Sequence, residues 1–297
     1  MQQRNLAELS RVTKRFGAVT ALDNLDLAVG PGELLALLGP NGAGKTTAIS
    51  LLLGLQQADA GTARLFGQPP HSIEARRQVG VMMQEAALAA ELRTREQIEL
   101  ISSYYPNPME LDEALRVTGT LPIAGRPYSA LSGGQKRQVQ FALAVVGRPK
   151  LLFLDEPTVG LDLQAREVVW ATVRRLVDDG CSVVLTTHYL EEAEALADRV
   201  AVLSKGRLIA SGSLREIRAL VVRKRITCRT SLTPSQVSCW PDVQTVNLDQ
   251  RGLHITASNT ENVVRRLLDA DPDLQDLEVQ RAGLAEAFNE LTKEDVQ

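Results

Sequence analysis

No apolar run in this 297-residue chain reaches the ~18 residues that a bilayer-crossing helix needs. The longest apolar stretches, near Phe141–Val146 and Leu151–Leu154, have the length of core segments. The first sixteen residues, Met1–Phe16, are polar and mixed in charge, without the apolar stretch of a signal peptide. Only three cysteines occur, Cys181, Cys228 and Cys239, far apart and with no C-x-x-C pair. That excludes a disulfide framework and a zinc site, and leaves the expectation of buried thiols in a reducing compartment. Positive charge is not in excess: 33 Lys and Arg stand against 36 Asp and Glu, for a formal net charge of −3. No overall field therefore draws the chain to nucleic acid or to an anionic membrane surface. Internal repeats, low-complexity tracts, sustained heptads and Cys/His clusters are also lacking. What remains, 44% hydrophobic and 23% charged, is the composition of a soluble globular protein with a real core. Its length suits one large domain, or a large one and a small one.

The apolar segments that are present have a consistent grammar. Leu34–Leu38 (LLALL) is short, apolar throughout and followed at once by a glycine-rich turn, Gly39–Gly44; Thr46–Leu55 then has helical composition. That is strand, turn, helix, the opening of an α/β unit. Leu151–Leu154 (LLFL) reads as a second buried strand ending in Asp155-Glu156-Pro157. Ser182–Thr187 (SVVLTT) reads as a third, preceded by a helix over Gln164–Asp178 and the turn Asp179-Gly180. Strands apolar on both faces and alternating with helices predict a parallel sheet. Glu85–Val146 has no comparable strand and reads as a helical insertion. Val200–Ser204 and Arg207–Ala210 flank Lys205-Gly206 as a hairpin. After about residue 218 the texture changes. Ile226–Arg229, Val243–Leu248 and Leu253–Ala257 alternate like strands, and Glu261–Leu268 is an amphipathic helix. Leu277–Val279 and a last helix, Leu284–Leu291, follow. This is a small α+β appendage joined through the basic segment Val221–Arg225.

Gly39-Pro40-Asn41-Gly42-Ala43-Gly44-Lys45-Thr46-Thr47 fits G-x-x-x-x-G-K-[ST], in the required place between a strand and a helix. Glycines allow successive backbone N–H groups to converge on phosphate oxygens, and the helix beginning near Lys45 adds its positive end. Lys45 would neutralise β- and γ-phosphate charge, and Thr46 would offer a hydroxyl to Mg²⁺. Asp155, at the end of an apolar strand, places a carboxylate beside the phosphates, suited to holding Mg²⁺ through water. Glu156 is the candidate to orient or deprotonate the attacking water. ATP and Mg²⁺ are thus the expected ligands.

Leu131-Ser132-Gly133-Gly134-Gln135, some twenty residues before Asp155, resembles the signature motif of ABC-type ATPases. Other stations of that family appear in order. Gln84 in VMMQE resembles the Q-loop glutamine, Gly160-Leu161-Asp162 the D-loop, and His188 in LTTHYLEEAEALADRV the switch histidine. Phe16, in KRFGAVTAL, stands where the family places an aromatic, usually tyrosine, against adenine. The resemblance covers residues 5 to about 215. It implies an α/β fold: a P-loop NTPase core of the ABC type over 1–218, with a helical subdomain at about 85–150 and an accessory α+β domain at 219–297. It further implies Glu156, His188 and Gln84 as catalytic residues and Thr46, Gln84 and Asp155 as the Mg²⁺ set. Ser132–Gln135 and Asp162 would serve nucleotide across a head-to-tail dimer, so that each ATP is shared between two chains; a homodimer is the simplest assembly.

One motor domain, no membrane span and a helical insertion fit the ATPase subunit of a transporter whose membrane-spanning permease is a separate chain. A translation factor of this superfamily would carry tandem domains, and a DNA-repair ATPase a long coiled coil or zinc modules; neither pattern is present. The wording GPNGAGKTT, LRTREQIEL (Leu92–Leu100), THYLEEAEALADRV and LAEAFNEL resembles ATPases of multidrug- and lipid-exporting systems, with Val159 and Phe16 as departures. The chain is then expected in the cytoplasm, peripheral on the inner face of the cell membrane, with no nucleic-acid partner. The cluster Tyr104-Tyr105-Pro106 and Met109, among Leu88, Leu92, Ile98 and Leu100, is the expected docking face for a permease helix, the alternative being the insertion's own small core. The appendage is expected to stabilise the dimer or to regulate it.

Overall fold

Two long antiparallel strands open the chain, β1 (Ala7–Phe16) and β2 (Val19–Val29). Their pairing slips at bulges, where Arg11 and Asn24 take positive φ of +49° and +50°. A five-residue strand whose side chains are all buried, β3 (Leu34–Leu38), leads through the glycine-rich loop into α1 (Lys45–Leu52). Then β4 (Ala60–Leu65) returns to pair with β1, completing a three-stranded antiparallel sheet in the order β2-β1-β4. Next come α2 (Ile73–Arg76) and β5 (Val79–Met82).

Among the described residues from 86 to 146 there is no strand: α3 (Thr94–Ser102), α4 (Leu111–Val117), two short 3₁₀ turns and α5 (Gly133–Val145) follow one another. They share a core of their own, in which Ile98, Leu115, Tyr128 and Val139 are buried together. The chain then alternates β6 (Leu151–Asp155), α6 (Leu163–Asp178), β7 (Ser182–Thr186), α7 (Leu190–Leu196) and β8 (Arg199–Ser204). A hairpin turn at Lys205-Gly206, both at positive φ as a two-residue loop requires, carries it into β9 (Arg207–Gly212). The helix α8 (Leu214–Leu220) follows.

The six strands of the central sheet run in the order β5-β6-β7-β3-β8-β9. Every pair from β5 to β8 is parallel, and β9 alone is antiparallel. Alternation along β6 shows how the apolar strands are used. Leu151 and Phe153 face a core with Leu35, Leu37 and Ile49, whereas Leu152 and Leu154 face the opposite core with Phe141, Val169 and Val173. Burying each such side chain contributes about 1.5–3 kcal/mol, so both faces of the sheet are held. The parallel arrangement has a functional consequence. The C-terminal ends of β3, β5, β6 and β7 all open on one edge, where the sequence places Gly39, Gln84, Asp155-Glu156 and His188.

The computed structural model describes residues 5–84, 86–220, 224–249 and 252–281, together with Leu284, Phe288, Leu291 and Thr292. The chain divides into two units, Met1–Leu214 and Arg215–Gln297, four residues earlier than the 218/219 boundary expected from sequence. In the second unit β10 (Lys224–Arg229), α9 (Pro234–Ser238), β11 (Val243–Asp249), β12 (Gly252–Ala257), α10 (Thr260–Ala270) and β13 (Gln275–Arg281) form a β-α-β-β-α-β arrangement. Its sheet is antiparallel in the order β11-β12-β10-β13, and α10 buries Val263 and Leu267 against Ile226, Leu253 and Ile255. The basic joint Val221–Arg225 and the last helix, Leu284–Leu291, fall largely outside the described residues. One cysteine departs from expectation: Cys181 and Cys228 are buried, but Cys239 is exposed, on the residue that ends α9, with its thiol 3.3 Å from the Ser235 carbonyl.

Candidate functional site

The loop after β3 closes so tightly that two of its glycines have no room for a side chain. A Cβ on Gly39 would lie 2.5 Å from the Leu203 carbonyl oxygen and 2.9 Å from the Ala43 Cβ. Gly44 stands at φ +103°, and a Cβ there would meet the Ala21 carbonyl oxygen at 2.5 Å. Past this turn α1 begins at Lys45, whose ammonium donates to the carbonyls of Gly39 at 2.7 Å and Pro40 at 3.1 Å. Lys45 is buried, and burial pushes its pKa below the ordinary lysine value, opposed by the charges of Glu156 and Asp155. A buried cation at a helix N-terminus, met by two neutral carbonyls, suits an anionic ligand. The loop borders a cavity of about 520 Å³, lined by residues 41–47, Gln84, Asp155 and Glu156, with Phe16, Val19 and Ala21 as an apolar side. That volume lies within the roughly 300–1,000 Å³ of small-molecule pockets. The Phe16 ring is half exposed at this wall, with the Lys14 ammonium 5.4 Å from its centre.

Across the cavity stand the two carboxylates at the end of β6. Asp155 is almost fully buried; its Oδ1 accepts from the Thr186 hydroxyl, while its Oδ2 is buried without a hydrogen-bond partner. A buried carboxylate oxygen left open beside a phosphate-type loop fits a divalent cation. Glu156 takes φ +50°, a left-handed backbone that costs a residue with a side chain about 1–3 kcal/mol. Its N–H donates to Thr186, to the carbonyl at 3.0 Å and to the hydroxyl at 3.2 Å. The carboxylate then lies between two side chains from neighbouring strand ends. Gln84 Nε2 donates to Oε2 at 3.5 Å, and His188 Nδ1 is 3.3 Å from Oε1. The His188 ring in turn packs on Tyr189, centres 4.2 Å apart.

The structure thus gathers Phe16, the cradle, Gln84, Asp155, Glu156 and His188, but not the remaining sequence candidates. Ser132, Gly133, Gly134, Gln135 and Asp162 do not line the cavity. Ser132 caps α5, accepting from the Gln135 N–H at 3.3 Å while Gln135 Oε1 accepts from the Ser132 N–H at 3.1 Å. A Cβ on Gly133 would meet nothing within 4 Å, whereas one on Gly134 would lie 2.9 Å from the Gly160 carbonyl oxygen. Asp162 caps α6 through the Ala165 N–H at 2.8 Å. The docking cluster also splits: Tyr104 and Leu100 are exposed, but Met109 and Ile98 are buried in the helical insertion's core, and Tyr105 donates its hydroxyl to the Val79 carbonyl at 3.1 Å. Two residues the sequence reading passed over belong to the site's frame, Thr186 and Arg137. Thr186 was readable as the polar end of an apolar strand. Nothing in the sequence marked Arg137, one basic residue among several on α5.

A P-loop nucleotide-binding cassette is what this fold and cradle define, and known proteins agree. Residues 22–159 match the family model described as ABC transporter. The daunorubicin resistance ATP-binding protein DrrA3 of Streptomyces coeruleorubidus is 36% identical, over 95% of this chain and 94% of that protein. The Nod factor export ATP-binding protein I of Ralstonia nicotianae is 40% identical over 69% of this chain and 66% of that protein. Among solved structures, an ATP-binding subunit of an ABC transporter superposes with a TM-score of 0.67 at 28% identity, covering 72% of this chain and 92% of that one. The ATP-binding cassette MJ0796, dimeric with ADP and Pi after hydrolysis, gives 0.64 at 26% identity, covering 70% and 99%. The chain belongs to the family of ABC transporter ATP-binding proteins, and it is an ATPase.

Proposed function

We propose that this chain is the motor subunit of an exporter, working as a homodimer beneath a separate permease at the inner face of the membrane. The observation that carries the reading is the split of the site: residues 41–47 of the cradle line the cavity, whereas the capped N-terminus of α5, the expected second anion site, does not. A second copy placed head to tail would bring its α5 to this cradle, making each ATP shared. The names of the relatives, daunorubicin resistance and Nod factor export, favour export over translation or repair. No helix among the described residues is long and apolar enough to cross a membrane, so the route would come from another chain.

In this reading Lys45 and the loop amides bind the β- and γ-phosphates, and Phe16 offers its ring to the base. Thr46, Asp155 and Gln84 would hold Mg²⁺, whose charge supports the phosphate oxygens. Glu156 accepts the proton of the water that attacks the γ-phosphorus, and His188 and Gln84 hold that carboxylate in place. Hydrolysis parts the two copies, and the helical insertion passes the movement to the permease.

The test is phosphate release by the purified chain and by Glu156→Gln, with the assembly state followed on a sizing column. Losing the water-activating carboxylate should slow turnover by about 10²–10⁴-fold while the cradle still binds ATP. The variant should elute as a dimer with ATP and as a monomer without it. Wild-type turnover in Glu156→Gln would sink the assignment of Glu156. A wild-type chain that cross-links to no membrane protein in native membranes would sink the transport reading.

A further inference from the structure

Arg137 lies on α5 five residues beyond Ser132, about 7.5 Å further along the helix. Its guanidinium is where three segments meet. Nη1 donates to the carbonyls of Met83 at 3.0 Å and Gln84 at 3.2 Å, just beyond the end of β5. Nη2 donates to the carbonyls of Asp155 at 3.0 Å and Glu156 at 2.5 Å, at the end of β6. A further bond joins Nη1 to Gln140 Oε1 at 2.9 Å, one turn along the same helix. One cation thus binds four backbone carbonyls on two neighbouring strand ends. Its planar fork suits that task, because charge-assisted hydrogen bonds are roughly twice as strong as neutral ones.

The clamp also accounts for the backbone at Glu156. A side-chain-bearing residue persists at φ +50° only where its surroundings hold it. Thr186 holds the N–H side of that peptide, and Arg137 holds the carbonyls on either side of it. The same guanidinium fixes the carbonyl of Gln84, whose side chain reaches Glu156 Oε2. The Glu156 backbone and the Gln84 carbonyl are therefore both anchored through α5, the helix that Ser132 caps.

We propose that Arg137 is a positioning residue for ATP hydrolysis, holding Glu156 and Gln84 in one register and tying both to α5. The inference rests on the reading of Glu156 as the water-activating carboxylate. A shift of α5 when a second copy closes on Ser132 would then reach Glu156 and Gln84 together. An arginine that merely packs would instead affect stability and every kinetic constant alike.

The experiment compares the full chain with Arg137→Lys and Arg137→Met, each with and without Glu156→Gln. It measures kcat, KM, affinity for a fluorescent ATP analogue, and melting temperature. Arg137→Met should lower kcat at least about tenfold, since small misplacements of reacting groups have effects of this size. KM and nucleotide affinity should stay within about threefold, because the guanidinium's hydrogen bonds go to backbone carbonyls and Gln140, none of them in the Gly39–Thr47 loop. Arg137→Lys, a cation without the fork, should recover part of the loss. In the Glu156→Gln background, Arg137→Met should change residual turnover by less than about twofold, for nothing is left to position. Losses that multiply in the double variant, or wild-type kcat in Arg137→Met, overturn the proposal. If Arg137→Met fails to fold, Arg137→Lys decides: lowered kcat at unchanged KM supports the proposal, and wild-type kcat overturns it. Wild-type turnover in Glu156→Gln alone would remove the premise and is read separately, from that variant's own rate.

Discussion

The Lys45 ammonium donates to the carbonyl of Gly39 at 2.7 Å, six residues back along its own loop. The cation that would serve phosphate is therefore held by the loop that shapes the site. A phosphate entering the cradle offers it full negative charge in place of two neutral carbonyls, and that exchange drives binding.

Replacing Lys45 tests this directly. Lys45→Ala should weaken ATP binding by at least about tenfold, or ~1.4 kcal/mol, in a fluorescent-nucleotide titration. The fold should survive, because alanine suits the first turn of α1 and removes a desolvated charge. Unchanged affinity would show that the ammonium is structural.

The shared-site reading predicts complementation. Lys45→Ala and Ser132→Arg should each be inactive alone, yet their mixture should regain part of the wild-type turnover, because one interfacial site in the heterodimer has both halves intact. Ser132 also caps α5, and loss of an N-cap costs about 1 kcal/mol, so the melting temperature of Ser132→Arg needs to be measured alongside. Mixtures as dead as either parent, with subunit exchange demonstrated, would exclude a composite site.

Glu192 supplies a pH signature. It is fully buried on α7, with Trp170 Nε1 donating to it at 3.0 Å. Burial pushes its carboxyl above the ordinary 4.5, against hydrogen bonds from Thr187, Trp170 and Thr158 and the charge of Arg166. A raised carboxyl pKa favours the folded state below 4.5, and that contribution is lost as pH rises through the folded-state value. Glu192→Gln, neutral throughout, should therefore melt higher than wild type at neutral pH, with the gain disappearing below 4.5. A difference that is constant with pH would show that Glu192 does not titrate in this way.

Of the proposed docking cluster, Tyr104 is 63% exposed and Leu100 is exposed as well, whereas Met109 is 8% exposed and part of the helical core. Tyr104→Glu should leave ATPase activity and stability within about 0.5 kcal/mol, as surface changes do. It should abolish co-purification with the membrane subunit. Met109→Ala, by contrast, should destabilise the chain by about 2–5 kcal/mol, as cavity-forming substitutions do, which chemical denaturation would show. Full transport in Tyr104→Glu would place the docking face elsewhere.

The apolar strands LLALL, LLFL and SVVLTT could be read directly, and so could the hairpin strands Val200–Ser204 and Arg207–Ala210 and the alternating strands after residue 218. The N-terminal sheet escaped the same reading. Leu9 and Val12, and Leu22 and Leu25, stand three apart because bulges interrupt the period of two, and polar residues fill the outer face. The short α9 did carry a signal, Thr233-Pro234-Ser235-Gln236, a capping box with proline at the first helical position.

Of the site, the contiguous parts were determined by the sequence alone. Gly39 to Thr46 is recognisable by local rules: a glycine-rich turn, a helix start, a lysine and a hydroxyl at the right spacing. The carbonyls that leave no room at Gly39 and Gly44, however, come from Leu203 and Ala21. The resemblance to one family rested on motifs of the same contiguous kind. Which motifs meet was decided by the tertiary structure. Glu156 lies between Gln84 and His188, 72 and 32 residues away in sequence, because β5, β6 and β7 are neighbours in the sheet and end on the same edge. Arg137 reaches two strand ends because α5 packs where both are within range. Strand order arises from burying two apolar faces at once, a property of the whole core that no local propensity encodes.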